Sequence, residues 1–188
     1  MSAVNTHGKV VNLSLLAAVF IVGIIGGVTL FMLGGGTPQV GIPYMDKADF
    51  IERAVDVFTP AFLSLGAIFL LGFGSIFAGF VPLVLLYNGL QTGLTLAHIY
   101  TSSPPQKMFL VLFIIVPYAV FSALVLIVGC REAMRLSVSI FRITISSGYL
   151  PVDYRLYINK FIILTAILLT GAIGNAFISG VFTKILGV

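Results

Sequence analysis

The chain has 188 residues, of which 59% are hydrophobic and only 9% charged, where a soluble domain carries roughly a quarter of charged residues. That balance excludes a water-covered globule, because a soluble fold of this length must still clothe its surface with polar groups. The net charge of +4 bears on membrane orientation and anionic lipid rather than on nucleic acid, and the single cysteine, Cys130, excludes an internal disulfide.

A bilayer core of about 30 Å needs roughly 20 apolar residues in helix. Leu13–Leu33 meets this without one charge. It is too long for the apolar part of a signal peptide, and Gly34-Gly35-Gly36 is a poor cleavage site, so an uncleaved first span is expected. Residues 46–58 follow as an amphipathic helix. Asp46 is its cap, Asp49, Glu52 and Asp56 share one face, and Phe50, Ala54, Val57 and Phe58 share the other. It is expected outside the membrane as a lid on the bundle.

Between Asp56 and Lys107 no residue is formally charged, a run of 50 positions. That is too long for one helix and enough for two with a tight turn. Gly79 and Pro82 mark the break. Thr59-Pro60 has the form of a cap followed by proline in the first turn, so the second span is expected over 60–78 and the third over 82–100. A re-entrant pair is the alternative for these two. After the Ser102-Ser103-Pro104-Pro105 turn, the fourth span covers 108–128 and carries Pro117, which should kink it. In 131–147, Arg131, Arg135 and Arg142 fall within about 40° of one another at helical spacing, opposite Ala133, Leu136, Ile140 and Phe141. This is an arginine stripe on an interfacial helix, suited to lipid headgroups or to an acidic partner. The fifth span covers 161–182. The fold class is therefore all-α, a polytopic transmembrane bundle of about five spans forming one domain over residues 1–188.

Orientation follows from the basic residues. Lys9, Arg131, Arg135, Arg142, Arg155 and Lys160 fall on one side, against Lys47, Arg53, Lys107 and Lys184 on the other. The excess places the N-terminus in the cytoplasm of a multi-pass cell-membrane protein and the C-terminus outside.

No span carries a deep charge, which argues against a pump driven by protons or ions. His98, near the end of the third span, is read as an interfacial anchor, the alternative being a ligand or base. Asn88, Gln91 and Asn175 are neutral amides that must find hydrogen bonds in hydrocarbon. They serve either as helix-to-helix glue or as parts of a polar path. Gly23/Gly27 and Gly89/Gly93 are GxxxG pairs, suited to close helix packing within or between chains. No catalytic pattern, metal-ligand spacing or phosphate loop is present, so no active site, metal or cofactor is assigned.

The proline-initiated third span with Asn88-Gly89-x-x-x-Gly93, followed by a short loop, an apolar span with a central proline and a basic tail, resembles the stage II sporulation protein M family. The likeness runs from about Val57 onward. Where that family has a histidine and a glutamate after the proline of the next span, this chain has Tyr118 and Ser122 after Pro117. The resemblance implies a non-enzymatic membrane scaffold or accessory subunit. Its partners would be the lipid bilayer and other membrane proteins or copies of itself, with no nucleic acid. The alternative is a transporter or permease subunit for a neutral or lipid-like solute, with Asn88, Gln91, His98 and Asn175 along its path. Convergence of those side chains on a cavity favours transport; burial of each against a neighbouring helix favours the scaffold.

Overall fold

A computed structural model describes residues 12–34, 49–74, 79–102, 105–146 and 154–186. Within them lie five α-helices and no strand: α1 (Leu13–Leu33), α2 (Phe50–Gly72), α3 (Val81–Ser102), α4 (Pro105–Ser146) and α5 (Tyr154–Leu186). The all-α bundle is thus the architecture. Four helices are long and apolar enough to cross a membrane, with apolar stretches at Leu13–Leu33, Phe50–Gly72, Ile115–Phe141 and Tyr154–Val181. The fifth, α3, is 22 residues long but carries Asn88, Gln91, Thr92, Thr95 and His98, which dilute its apolarity.

The helix bounds differ from the expected ones in several places: α2 ends at Gly72 rather than at 78, α5 begins at Tyr154 rather than at 161, and two expected breaks are absent. The acidic helix and the second span are one helix, because Pro60 lies inside α2 rather than at its start. The Thr59 hydroxyl donates back to the Val55 carbonyl (2.7 Å) instead of capping an amide ahead, and the Ser64 hydroxyl bonds the Pro60 carbonyl (2.8 Å). Both are i−4 bonds back along α2, and neither reaches the Asp56 carbonyl, the one whose amide donor Pro60 removes. Likewise the arginine-bearing segment continues the fourth span as part of a single 42-residue α4, with Pro117 inside it. Nothing between Val128 and Arg131 breaks a helix except Gly129, and Gly129 is buried against Leu65. Of the apolar face expected on lipid, Ala133 and Leu136 are buried against the bundle itself, Ile140 is half-buried and Phe141 is exposed. The 46–48 start of the acidic helix and the side chain of Arg142 lie outside the described residues.

Contacts along the helices fix their directions. Gly23 lies against Leu86 and Gly89, and Gly27 against Leu90 and Leu94, so α1 and α3 run parallel. Tyr118 bonds Val57 and Ser137 bonds Gly74, so α4 runs parallel to α2. Phe121 meets Gly171 near one end and Ala133 shares the Gly72 site with Tyr157 near the other, so α5 opposes α4. Consecutive helices therefore alternate in direction. Leu16 and Val81 are fully buried in one core cluster, while Phe31 and His98 meet edge-to-face at 6.1 Å. Hence α3 accompanies α1 over its whole length rather than turning back part-way.

Both GxxxG pairs are spent in this α1–α3 contact. A Cβ added to Gly23 would stand 2.5 Å from the Leu86 carbonyl oxygen, and one on Gly27 would overlap that of Leu90. Added to Gly89 or Gly93, it would overlap the carbonyl oxygens of Phe20 and Ile24. Only glycine on both sides lets the two backbones approach this closely, which is how helices gain contact energy in lipid.

The α2–α3 turn is held at the opposite end of the bundle from Asp56 and His98. The Phe73 N–H, which a continuing helix would aim at Phe69, goes to Leu70 and Leu71 instead. The Phe69 carbonyl is taken by the Tyr157 hydroxyl (2.9 Å), and the Gly74 carbonyl by Ser137 (2.6 Å). Tyr157, Phe161 and Phe73 pack around Phe69 with ring centroids 5.0–5.3 Å away. Helix-end carbonyls with no intrahelical donor are thus satisfied without water.

Candidate functional site

The polar residues of α3 recur at helical spacing: Asn88, Gln91, Thr92, Thr95 and His98 lie on one stripe. Since α1 occupies the glycine face of α3, this stripe is turned elsewhere. It lines a cavity of about 420 Å³ between α2, α3 and α4. From α2 the walls are Asp56, Val57, Pro60, Ala61 and Ser64; from α4 they are Ile115, Tyr118, Ala119 and Ser122. Asp56 and His98 belong to one end of the bundle. Ser64 lies eight residues further along α2, about 12 Å deeper at 1.5 Å per residue, and meets Asn88 there. The volume falls in the range of small-molecule sites.

The hydrogen bonds of the lining are mostly internal to the walls. Asn88 Nδ2 donates to the Val84 carbonyl (2.8 Å), and its Oδ1 lies 3.1 Å from Ser64 Oγ, joining α3 to α2. Gln91 Nε2 donates to Tyr87 Oη (2.6 Å). Thr92 and Thr95 donate to the carbonyls of Asn88 (2.8 Å) and Gln91 (2.9 Å). Tyr118 donates across to the Val57 carbonyl (3.1 Å), and Ser122 to that of Ala119 (3.1 Å). Asp56 is the one lining residue with a formal charge, and no salt bridge to it exists among the described residues.

Three of the four residues expected along a polar path, Asn88, Gln91 and His98, are therefore brought together. Asn175 is not. It is 6% exposed on α5, away from the cavity lining, and its Nδ2 has no hydrogen-bond partner among the described residues. Tyr118 and Ser122 stand out in the sequence only as the positions where the resembled family carries a histidine and a glutamate, and the contributions of Asp56 and Ser64 were not legible as site residues. Each sits alone in an apolar or amphipathic run, and only the packing of α2 and α4 on α3 assembles them. Thr92 and Thr95 were legible in principle, as the same stripe that holds Asn88 and Gln91.

The arginine stripe is placed at the other end of the bundle. Arg135 pairs with Glu132 (3.1 Å), and the second oxygen of Glu132 accepts from Lys160 of α5 (2.6 Å). Glu132 thus clamps α4 to α5, and the Nε of Arg131 is buried without a hydrogen-bond partner among the described residues. No cluster of metal-ligating side chains occurs among the described residues. The architecture and site together define a class, the membrane-type helical bundle with a half-open cavity whose mainly apolar walls carry a stripe of polar side chains. Comparison with protein-family models, with characterised proteins and with solved structures gives no match.

Proposed function

We propose that this chain is a non-enzymatic membrane protein of five traverses that acts as a solute-binding or permease subunit for a small or lipid-like solute. The observation that carries this reading is the convergence of Asn88, Gln91 and His98 on one cavity between α2, α3 and α4. Polar side chains turned toward an open space in hydrocarbon need water or a solute to complete their hydrogen bonds. Asn88 also bridges to Ser64 of α2 as helix glue would, so the reading rests on the cavity that the stripe lines and not on this contact. On this reading the N-terminus is cytoplasmic, the C-terminus is external and the cavity opens on the outer side at Asp56 and His98.

The test is accessibility and protection in proteoliposomes. With Cys130 replaced by alanine, Thr95→Cys and Ser122→Cys should react with a membrane-impermeant thiol reagent, and a bound solute should slow that reaction. If both cysteines are inert while a control cysteine in a loop reacts, there is no water-filled cavity and the reading fails. A C-terminal reporter protected from external protease would overturn the topology.

Membrane scaffolding is the second reading, and the resemblance of Asn88-Gly89-x-x-x-Gly93 and Pro117 to stage II sporulation protein M is its support. Partners would then be other membrane proteins or further copies of this chain, with Arg131 and Arg142 facing lipid headgroups or an acidic protein. Consumption of both GxxxG pairs inside the chain removes the most obvious surface for recognising foreign helices. Co-migration of a stoichiometric partner after mild extraction would favour the scaffold.

A further inference from the structure

Beside the polar cavity lies a second, shallower one. It is an almost wholly apolar groove of about 570 Å³ between α2 and α3, walled by Ala67, Leu71, Phe80, Leu83 and Val84. The two share Leu63, Ser64 and Tyr87, so the groove and the cavity meet at the level of the Ser64–Asn88 contact. The reason the groove exists is that α3 spends its close-packing face on α1 and meets α2 far less. A chamber that carries polar side chains beside an almost wholly apolar slot suits an amphiphile.

The chamber also has a chemical bias. Thr92, Thr95 and Ser122 each spend their single hydroxyl hydrogen on a backbone carbonyl, so toward the cavity they present lone pairs. Gln91 commits an amide hydrogen to Tyr87, and among the described residues nothing donates to its Oε1. Asp56 adds the lining's one formal charge, and it is negative. The lining also offers donors, the remaining N–H of Asn88 and of Gln91 and the Tyr87 hydroxyl, so the bias toward a cationic head comes from the negative Asp56, with the Thr92, Thr95 and Ser122 lone pairs as further acceptors.

We propose that the solute is an amphiphile with a primary-ammonium head, held by Asp56 and the Gln91–Thr95 stripe, and one apolar chain lying in the α2–α3 groove. This rests on the solute-binding reading and names the class of solute. An amphiphile can reach such a site sideways from the bilayer, since the groove faces lipid along exposed Leu63, Leu83 and Tyr87.

The experiment uses the full chain in phosphatidylcholine proteoliposomes and a dodecylamine with a photoreactive diazirine near its methyl end. Crosslinks are expected at Ala67, about 16 Å from Asp56 along α2 at 1.5 Å per residue and at the limit of a twelve-carbon chain, and not at Leu71. Unlabelled dodecylamine should compete roughly tenfold better than dodecanol, the fold-change of about one charge-assisted hydrogen bond, and better still than dodecanoate. These arms need no variant. Asp56→Asn should bring the amine and the alcohol close to parity, and Ala67→Phe should remove the crosslinks by filling the groove. Equal competition by all three heads, or crosslinks scattered over the lipid-facing surfaces of α4 and α5, would overturn the proposal. So would competition by propylamine as strong as that by dodecylamine, although solute binding in the cavity would then stand. Failure of every competitor, together with inert Thr95→Cys and Ser122→Cys, would overturn both readings.

Discussion

Gly26 and Gly27 are neighbours in one helix at one depth, yet alanine at the two positions should act in opposite directions. At Gly27 an added Cβ meets the carbonyl oxygen of Leu90, the amide nitrogen of Leu94 at 2.9 Å and the carbonyl carbon of Leu90 at 3.0 Å. All three are backbone atoms, so no rotamer change relieves the clash and α1 must move off α3. Restoring the 2.9 Å contact to an ordinary 3.4 Å needs a shift of half an ångström at the least. A gap of that size forfeits about a quarter of the dispersion energy of each contact it opens. The cost should be about 1–3 kcal/mol, the range for overpacked sites. At Gly26 nothing lies within 4 Å of the added Cβ. There the substitution only improves helix propensity, by up to about 1 kcal/mol. A spread of roughly 1–4 kcal/mol between adjacent positions is therefore expected. It can be read from reversible unfolding of Gly26→Ala and Gly27→Ala in mixed micelles. Equal effects would refute the intramolecular α1–α3 contact. Destabilisation of Gly27→Ala only at concentrations where the protein self-associates would assign the glycines to an intermolecular interface instead.

Three further outcomes follow from individual hydrogen bonds. Tyr157→Phe keeps the ring stack on Phe69 but leaves the Phe69 carbonyl without its donor, so it should cost about 1–3 kcal/mol in the same unfolding assay. A neutral result would mean that water reaches that carbonyl. Asn175→Leu removes a buried amide whose Nδ2 is unpartnered among the described residues; it should leave the melting temperature unchanged or raised, and a clear drop would reveal a bond to this side chain. Glu132→Gln weakens the α4–α5 clamp. Because Arg135 and Lys160 are 42% and 48% exposed, the loss should stay below about 1 kcal/mol and fade in molar salt. A larger, salt-independent loss would show that the pair is shielded from water.

Helix existence was legible because it rests on local quantities. The uncharged run from Leu13 to Leu33 and the 50 positions after Asp56 require helices in lipid whatever they pack against. Helix ends were less legible. Thr59-Pro60 and the 128–131 junction look locally like boundaries, but the helices continue through both. A proline can sit inside a helix that packing against its neighbours holds together, and that is a tertiary property.

The polar content of α3 illustrates the same division. Residue spacing alone determined that Asn88 and Gln91 share one face of a helix and that two GxxxG pairs exist. Which pair meets which was undetermined, because glycine spacing permits close approach without naming the partner. Only the tertiary structure decided that α1 takes the glycine face of α3. That choice turns the polar face toward α2 and α4, and so brings Asp56, Ser64, Tyr118 and Ser122 from distant parts of the chain to one cavity.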